Sequence, residues 1–245
     1  MIILPPPQTL TFNGAAAQYH LLQHNLPAGL YVVQILRSAT AATALCVVPG
    51  SQLLIWLSDI DLSASYKLVA LQLSGGALSE GVWWVDNYVY DSNQRNIEFK
   101  SQGQDSGTGE LKTFTGQTLI NQRPVSRRVV ALGIDGDAPR FLAQAQSNQQ
   151  GRYTLEWRGY TGQVLITATD DYGQPWAAGA TMGVGERVHP TSPNGHVYQV
   201  SIAGELGATE PDWPTLGGST VLSGTVQLVA HPYYQPKSAG PVTVV

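Results

Sequence analysis

The chain is short of charge, of cysteine and of helix-forming runs. Only 12% of its 245 residues are Asp, Glu, Lys or Arg, and the formal net charge is -4. That is about half the charge density of an ordinary globular protein. No positive field capable of holding a phosphate backbone exists, so nucleic acid is excluded as an expected partner. The one basic cluster, Arg123, Arg127 and Arg128, reads more simply as a solvated strand start or a subunit contact. A single cysteine, Cys46, rules out an intrachain disulfide, and its apolar setting in ALCVVPG suits a buried thiol. Neither a basic signal-peptide start nor an apolar 18-mer occurs, so the expectation is synthesis in a cytoplasm without membrane insertion. G-x-S-x-G, H-E-x-x-H and G-x-x-x-x-G-K-(S/T) are all missing.

What is abundant points one way. Glycine (26) and proline (15) are plentiful, and Thr, Val, Gln and Tyr are common. The expected fold class is mostly β, as several small antiparallel β-sandwich or β-barrel-like domains in series. Residues 1–28 read as an arm, with the triple proline Pro5–Pro7 unable to join a ladder and 14–26 open to either a short helix or strands. Residues 29–122 form an expected N-terminal β domain carrying GLYVVQILR, TALCVVPG, SQLLIWLSD, YKLVALQLSGG and VWWVDNYVYD. In the last of these, Trp83 and Trp84 adjoin and must point to opposite faces. Residues 125–183 suggest a small sandwich with Val129, Leu132, Phe141, Tyr153, Leu155, Leu165 and Ile166 inward. A core of that size is marginal and needs support from its neighbours. Residues 184–232 form a small β module around Trp213, Tyr198 and Leu228, and 233–245 a tail whose VTVV can add to a neighbouring sheet.

Two of these segments carry a resemblance. Arg127, Arg128 and Val129, then Arg140, Ala145, Ser147, Gly151 and Tyr153, resemble the strand-and-turn pattern of transthyretin-like (carboxypeptidase-regulatory-like) domains found in tailed-phage structural proteins. The next module is similar to a repeat of phage tail, fibre and baseplate proteins, loosely like small carbohydrate-binding modules. Matching positions are Gly185, Glu186, Val188, Pro190, Asn194, Gly195, Tyr198, Gly204, Gly207, Pro211, Trp213 and Pro214, then Gly224, Thr225 and Val226. Leu206 stands where the pattern has Ser or Thr, and Leu228 lies near the place of its closing Trp, so that aromatic for sugar stacking is missing. The resemblance does not reach residues 1–120. It implies a virion tail component assembled in the host cytoplasm, in the tail tip, baseplate or fibre-attachment region. Expected partners are further copies of itself in a ring or trimer, with arms and the C-terminal strand bridging copies, and other tail proteins. The alternative is a host-surface or glycan-binding module that contacts host-surface polysaccharide.

Few residues invite chemistry, and no cofactor or enzymatic activity is expected. His189 and His196 flank the Pro-x-x-Pro-Asn-Gly stretch, where Asn194-Gly195 most simply supplies a tight hairpin turn. Zinc there would need more ligands than Glu186 and His231 offer. His20 and His24 lie four apart and would share a face of a helix, but apart from Gln18 and Gln23 little nearby could coordinate or act as base. The carboxylate pairs Asp59/Asp61, Asp135/Asp137 and Asp170/Asp171 sit in turn-forming contexts, and only a cleft between strands would make glycosidase acids of them. The aromatics are the remaining set. Trp84, Trp157, Tyr160, Tyr172, Trp176 and Trp213 are candidates for core, for an interface, or for stacking on a glycan. Trp157, Tyr160, Tyr172 and Trp176 are expected together around two loops at one end of the middle sandwich.

Overall fold

The computed structural model describes residues 8–12, 15–27, 29–37, 40–47, 52–74, 77–102, 108–136, 138–192, 194–234 and 236–245. The Pro5–Pro7 stretch, the Asp137 position and the Cys46 side chain lie outside the described residues. The fold is mostly β, built of several small, largely antiparallel sheets. It forms two compact units: Met1–Leu73, Leu78–Thr169 and Pro236–Val245 make the first, Ser74–Ala77 and Asp170–Gln235 the second.

Four sheets are stacked in the first unit. The first sheet orders the strands Gln8–Phe12, Ala15–His24 and Gln52–Trp56, with Asn96–Ile97 pairing to the middle one. Residues 15–24 are therefore strand, the second of the two conformations their sequence allows. The second sheet runs Thr40–Val47, Leu30–Arg37, Ser65–Ser74, Ala77–Val89 and Lys100–Gln102. The third runs Arg140–Gln146, Arg128–Gly133, Gly162–Thr169 and Lys237–Val244, and the fourth pairs Leu111–Gln117 with Arg152–Arg158.

The alternation of side chains along each strand sets the order of the layers. Tyr31, Val33, Ile35, Leu68 and Ala70 face Leu22, Leu53 and Ile55 of the first sheet. Val32, Leu36, Val69, Leu71, Val82 and Trp84, from the opposite face, pack on Val130, Leu132 and Leu165 of the third. Val129, Ala131, Val164 and Ile166 then meet Leu155 and Trp157 of the fourth. Adjacent Trp83 and Trp84 divide as a strand requires, Trp83 edge-on to Tyr31 with ring centroids 5.6 Å apart and Trp84 in the next layer. The central strands of the second and third sheets thus have both faces covered, which is why LYVV, VVALG and VLI read as apolar runs. The outer strand RYTLEWR alternates instead, with Leu155 and Trp157 turned inward.

A polar node interrupts the layer between the second and third sheets. The Gln34 side-chain amide donates to the Thr167 hydroxyl at 2.7 Å, Thr167 Oγ1 and Ser238 Oγ share a hydrogen bond at 2.9 Å, and Ser238 Oγ lies 3.4 Å from Gln34 Oε1.

The segment boundaries differ from the sequence expectation. Residues 29–122 and 125–169 are not separate domains, because the face of Val130, Leu132 and Leu165 packs directly on the second sheet. A small sandwich short of core is completed by that neighbour. The next break falls after Thr169 and not at 183–184. Nor is 233–245 simply a tail: Lys237–Val244 pairs with Gly162–Thr169 of its own chain. Within the single chain this strand joins an intramolecular ladder as the edge of the third sheet.

The second unit is therefore an insertion between two neighbouring strands, Ala168 lying opposite Lys237 in the third sheet. Its sheet orders Gln174–Pro175, Arg187–His189, His196–Ile202, Val226–Pro232 and Thr220–Ser223, and Thr181–Met182 pairs with Gly204–Glu205. Met182, Val188, Tyr198, Val200, Leu206, Val226, Leu228 and Ala230 form its core. An insertion needs its two ends close together, and polar contacts fasten them. Asp170 Oδ2 accepts the Tyr234 N–H at 3.0 Å, the Tyr172 hydroxyl donates to the Tyr234 carbonyl at 2.9 Å, and the Tyr172 and Tyr233 rings meet edge-on at 5.1 Å. The TDDYG and PYY stretches are the clasp of the insertion.

Removing residues 237–245 strips the third sheet of an edge strand and takes Ser238 from the buried node. Thermal unfolding of the truncated chain should show a midpoint lower by at least roughly 4–8 °C, equivalent to about 2 kcal/mol. An unchanged midpoint would show that the returning strand holds nothing together.

Candidate functional site

The first unit has an open pocket at one end of its third and fourth sheets. It encloses about 200 Å³ and is lined by Arg140, Phe141, Leu142, Trp157, Arg158, Gly159, Tyr160 and Thr108. Arg140 begins one strand and Arg158 ends another, which brings both guanidinium groups to the same end of the sandwich. The turn at Gly159 holds a positive φ of 69°, and a Cβ there would collide with the Thr108 carbonyl, so the wall is closed by backbone-to-backbone contact.

The polar tips of the pocket aromatics are used internally. Trp157 Nε1 donates to the Tyr160 carbonyl at 3.3 Å. The Tyr160 hydroxyl donates to the Gln163 carbonyl at 3.0 Å and accepts the Asp135 N–H at 3.2 Å. Burial pushes that hydroxyl's pKa up, so it stays neutral. Asp135 does not line the pocket, and its carboxylate accepts the Gln163 N–H at 2.6 Å. Arg158 donates one N–H to the Gly109 carbonyl at 3.2 Å, which steadies its guanidinium.

A second polar cluster lies in the inserted unit. Glu210 accepts the Thr191 N–H at 2.8 Å, the Thr191 hydroxyl at 2.6 Å and Trp213 Nε1 at 2.8 Å. One carboxylate thereby ties residues 190–195 to the Trp213 loop, and its pKa is lowered by the hydrogen bonds from Thr191 and Trp213, against the opposing cost of burial. Trp213 leans on Tyr198 with centroids 4.3 Å apart, and the Tyr198 hydroxyl accepts from Asn194 Nδ2 at 2.8 Å and donates to the Pro214 carbonyl at 3.0 Å. Asn194 Oδ1 accepts the His196 N–H at 3.1 Å, and Gly195 takes a φ of 85°. The pair does turn the chain, but at the end of the longer connection 190–195 and not as a two-residue hairpin.

The other sequence candidates are placed as follows. Trp84, Trp157, Tyr160 and Tyr172 are buried, with no more than 7% of any of them exposed, so their faces serve packing and are not open to a sugar ring. Trp176 and Trp213 are half-buried against the inserted unit's core, Trp176 Nε1 donating to Ser223 Oγ at 3.3 Å. Trp157 and Tyr160 do come together, whereas Tyr172 and Trp176 belong to the other unit. His196 Nδ1 lies 3.4 Å from the Asn194 carbonyl and His189 Nδ1 3.0 Å from that of Tyr172. Among the described residues no group of three or more His, Cys, Asp or Glu could hold a metal ion. Asp61 caps its own turn through Ser63 and pairs with Arg37 at 3.0 Å. Asp170 and Asp171 lie 3.7 and 3.9 Å from Arg187. Arg140, Arg158 and Glu210 were not singled out by the sequence. The alternation of RYTLEWR does turn Arg158 away from the buried face, but nothing local pairs it with Arg140.

No protein family matches this chain, and neither a curated protein nor a solved structure does.

Two buried histidines, His20 and His189, and the half-buried His24 share one design. His20 Nε2 lies 2.8 Å from the Gln94 carbonyl, His24 Nδ1 accepts the Leu26 N–H at 3.2 Å, and His189 Nδ1 faces Tyr172 O. The remaining nitrogen of each is buried without a partner. Burial lowers all three pKa values below the ordinary 6.5. The unfolded chain therefore takes up protons first as pH falls. Stability should be full above pH 6.5 and decline as pH drops through 6.5 towards the depressed native values. Urea midpoints at about pH 8 and about pH 5.5 test this: a lower midpoint at the acid end is expected, and equal midpoints would contradict it.

Proposed function

We propose that the chain is a structural component of a phage virion tail, in the tail tip, baseplate or fibre-attachment region, whose work is subunit assembly. The motif residues at 125–232 support the virion setting. The observation that carries the assembly role is a row of side chains on the inserted unit's sheet. Ile202 and Leu222 both stand opposite Gln227, on the strands flanking it, and so share one face. They are 54% and 66% exposed in the single chain. Opposite this row the same sheet carries its buried core, so the exposed leucine and isoleucine are not needed for the fold. Val184 and Leu216 of the same unit are also exposed. Apolar side chains grouped on a surface this poor in charge are suited to cover by another subunit.

Mass photometry and sedimentation of the purified chain, alone and with tail partners, test the reading. A ring or trimer is expected, and Ile202→Glu with Leu222→Glu should dissociate it while leaving the thermal midpoint within a degree or two. A protein that stays strictly monomeric in every mixture would overturn the assembly role.

A further inference from the structure

We propose that the inserted unit pairs with a second copy of this chain through the outer edge of Thr220–Ser223, the two strands running antiparallel about a two-fold axis at Val221. This rests on the assembly reading and names the partner that covers Leu222. Thr220–Ser223 ends its sheet, with Val226–Pro232 as its one strand partner among the described residues. Ser223 and Val226 close a two-residue turn, and the Ala230 N–H reaches the Ser219 carbonyl at 2.8 Å. Antiparallel alternation then turns the N–H and C=O of Ser223 and Val221 inward to that partner, and those of Thr220 and Leu222 outward. Among the described residues nothing takes up these outward groups, and both side chains are exposed.

An edge of this kind is a template for another strand, and charge or proline is the usual guard against it. Both guards are absent here. From Trp213 to Ala230 there is no Asp, Glu, Lys or Arg, and no proline follows Pro214 in that stretch. The far edge of the same sheet, Gln174–Pro175, does carry a proline. Two features make a like copy the occupant. Thr220 and Leu222 stand one on each side of Val221, so a two-fold axis there sets Thr220 of each copy opposite Leu222 of the other. Each such pair exchanges both of its N–H···O bonds, and no other sequence is needed to complete the ladder. Self-contact also sets every charge against its own kind, a penalty that an uncharged strip escapes. Across the axis the two exposed leucines lie diagonally on one face, and the row of Ile202, Gln227 and Leu222 runs on into its counterpart. A contact of this type joins copies in twos, so a ring built with it holds an even number of chains, which selects the ring over the trimer.

Sedimentation of the chain alone over a concentration series should show a dimer with a Kd on the order of 10 μM, as a patch this small allows. Thr220→Pro removes an outward N–H and spares the ladder to Val226–Pro232. It should weaken the pairing by about tenfold or more with the thermal midpoint unchanged. Thr220→Cys combined with Leu222→Cys should give a disulfide-linked dimer on mild oxidation, because facing Cα atoms in such a pair lie about 5.5 Å apart. The parent chain, whose one cysteine is Cys46, is the control. Four results would each overturn the edge pairing and leave the assembly reading standing: a chain that is monomeric alone yet assembles with tail partners, pairing indifferent to Thr220→Pro, no linked dimer, or an odd number of chains in the assembly. A chain that is monomeric in every mixture would overturn both.

Discussion

Everything in the larger unit depends on two sheets whose central strands are buried on both faces. A strand in such a sheet cannot alternate apolar with polar, because either choice of face meets another layer. Leu30–Val33, Val129–Gly133 and Val164–Ile166 obey this, and their side chains are parcelled out to layers above and below by parity alone. Burying both faces removes more apolar surface from water per residue than a two-layer sandwich does. It also makes the layers interdependent, since either inner sheet without its neighbour would expose a continuous apolar face. Gln34, Thr167 and Ser238 fix how those neighbours meet. Polar groups inside a packed layer must find one another, and a shift of the second sheet against the third would break the hydrogen bonds among these three.

The same constraint explains what could be read from the sequence. Strand content was legible, because Gly and Pro punctuation and β-branched runs are local signals. So was the division of Trp83 and Trp84, and the place of Tyr198 and Trp213 in a small core, since these follow from alternation and from the scarcity of large residues in the module. Layer order was not. An unbroken apolar run such as RVVALG says that both faces are covered and leaves the covering partner unnamed, so two layers of one stack read as two domains. The return of Lys237–Val244 was hidden for a related reason: an exposed edge strand shows little apolar pattern, and its partner lies 69 to 82 residues earlier. The aromatic cluster failed in part because nearness in sequence across Thr169 and Asp170 spans a change of unit. Arg140 and Arg158 come to line one pocket only when the third and fourth sheets are stacked, which no local pattern foretells.

The arrangement also shows how a weakly charged chain can carry distinct surfaces. Inserting a unit between paired strands leaves the stack intact, provided the ends of the insertion are fastened, and Asp170, Tyr172 and Tyr234 fasten them. One unit then offers an apolar row around Gln227, and the other offers an arginine-lined pocket whose aromatic walls are hydrogen-bonded to backbone.

Native-state hydrogen exchange of the whole chain, resolved by peptide, addresses the stack most directly. If four layers form one cooperative body, amides of Leu30–Arg37, Ser65–Ser74, Arg128–Gly133 and Gly162–Thr169 share a single slowest opening and respond alike to added denaturant. Should residues 29–102 open fully while 128–169 remain protected, or the reverse, the two inner sheets would be independent and the account of the fold would fail.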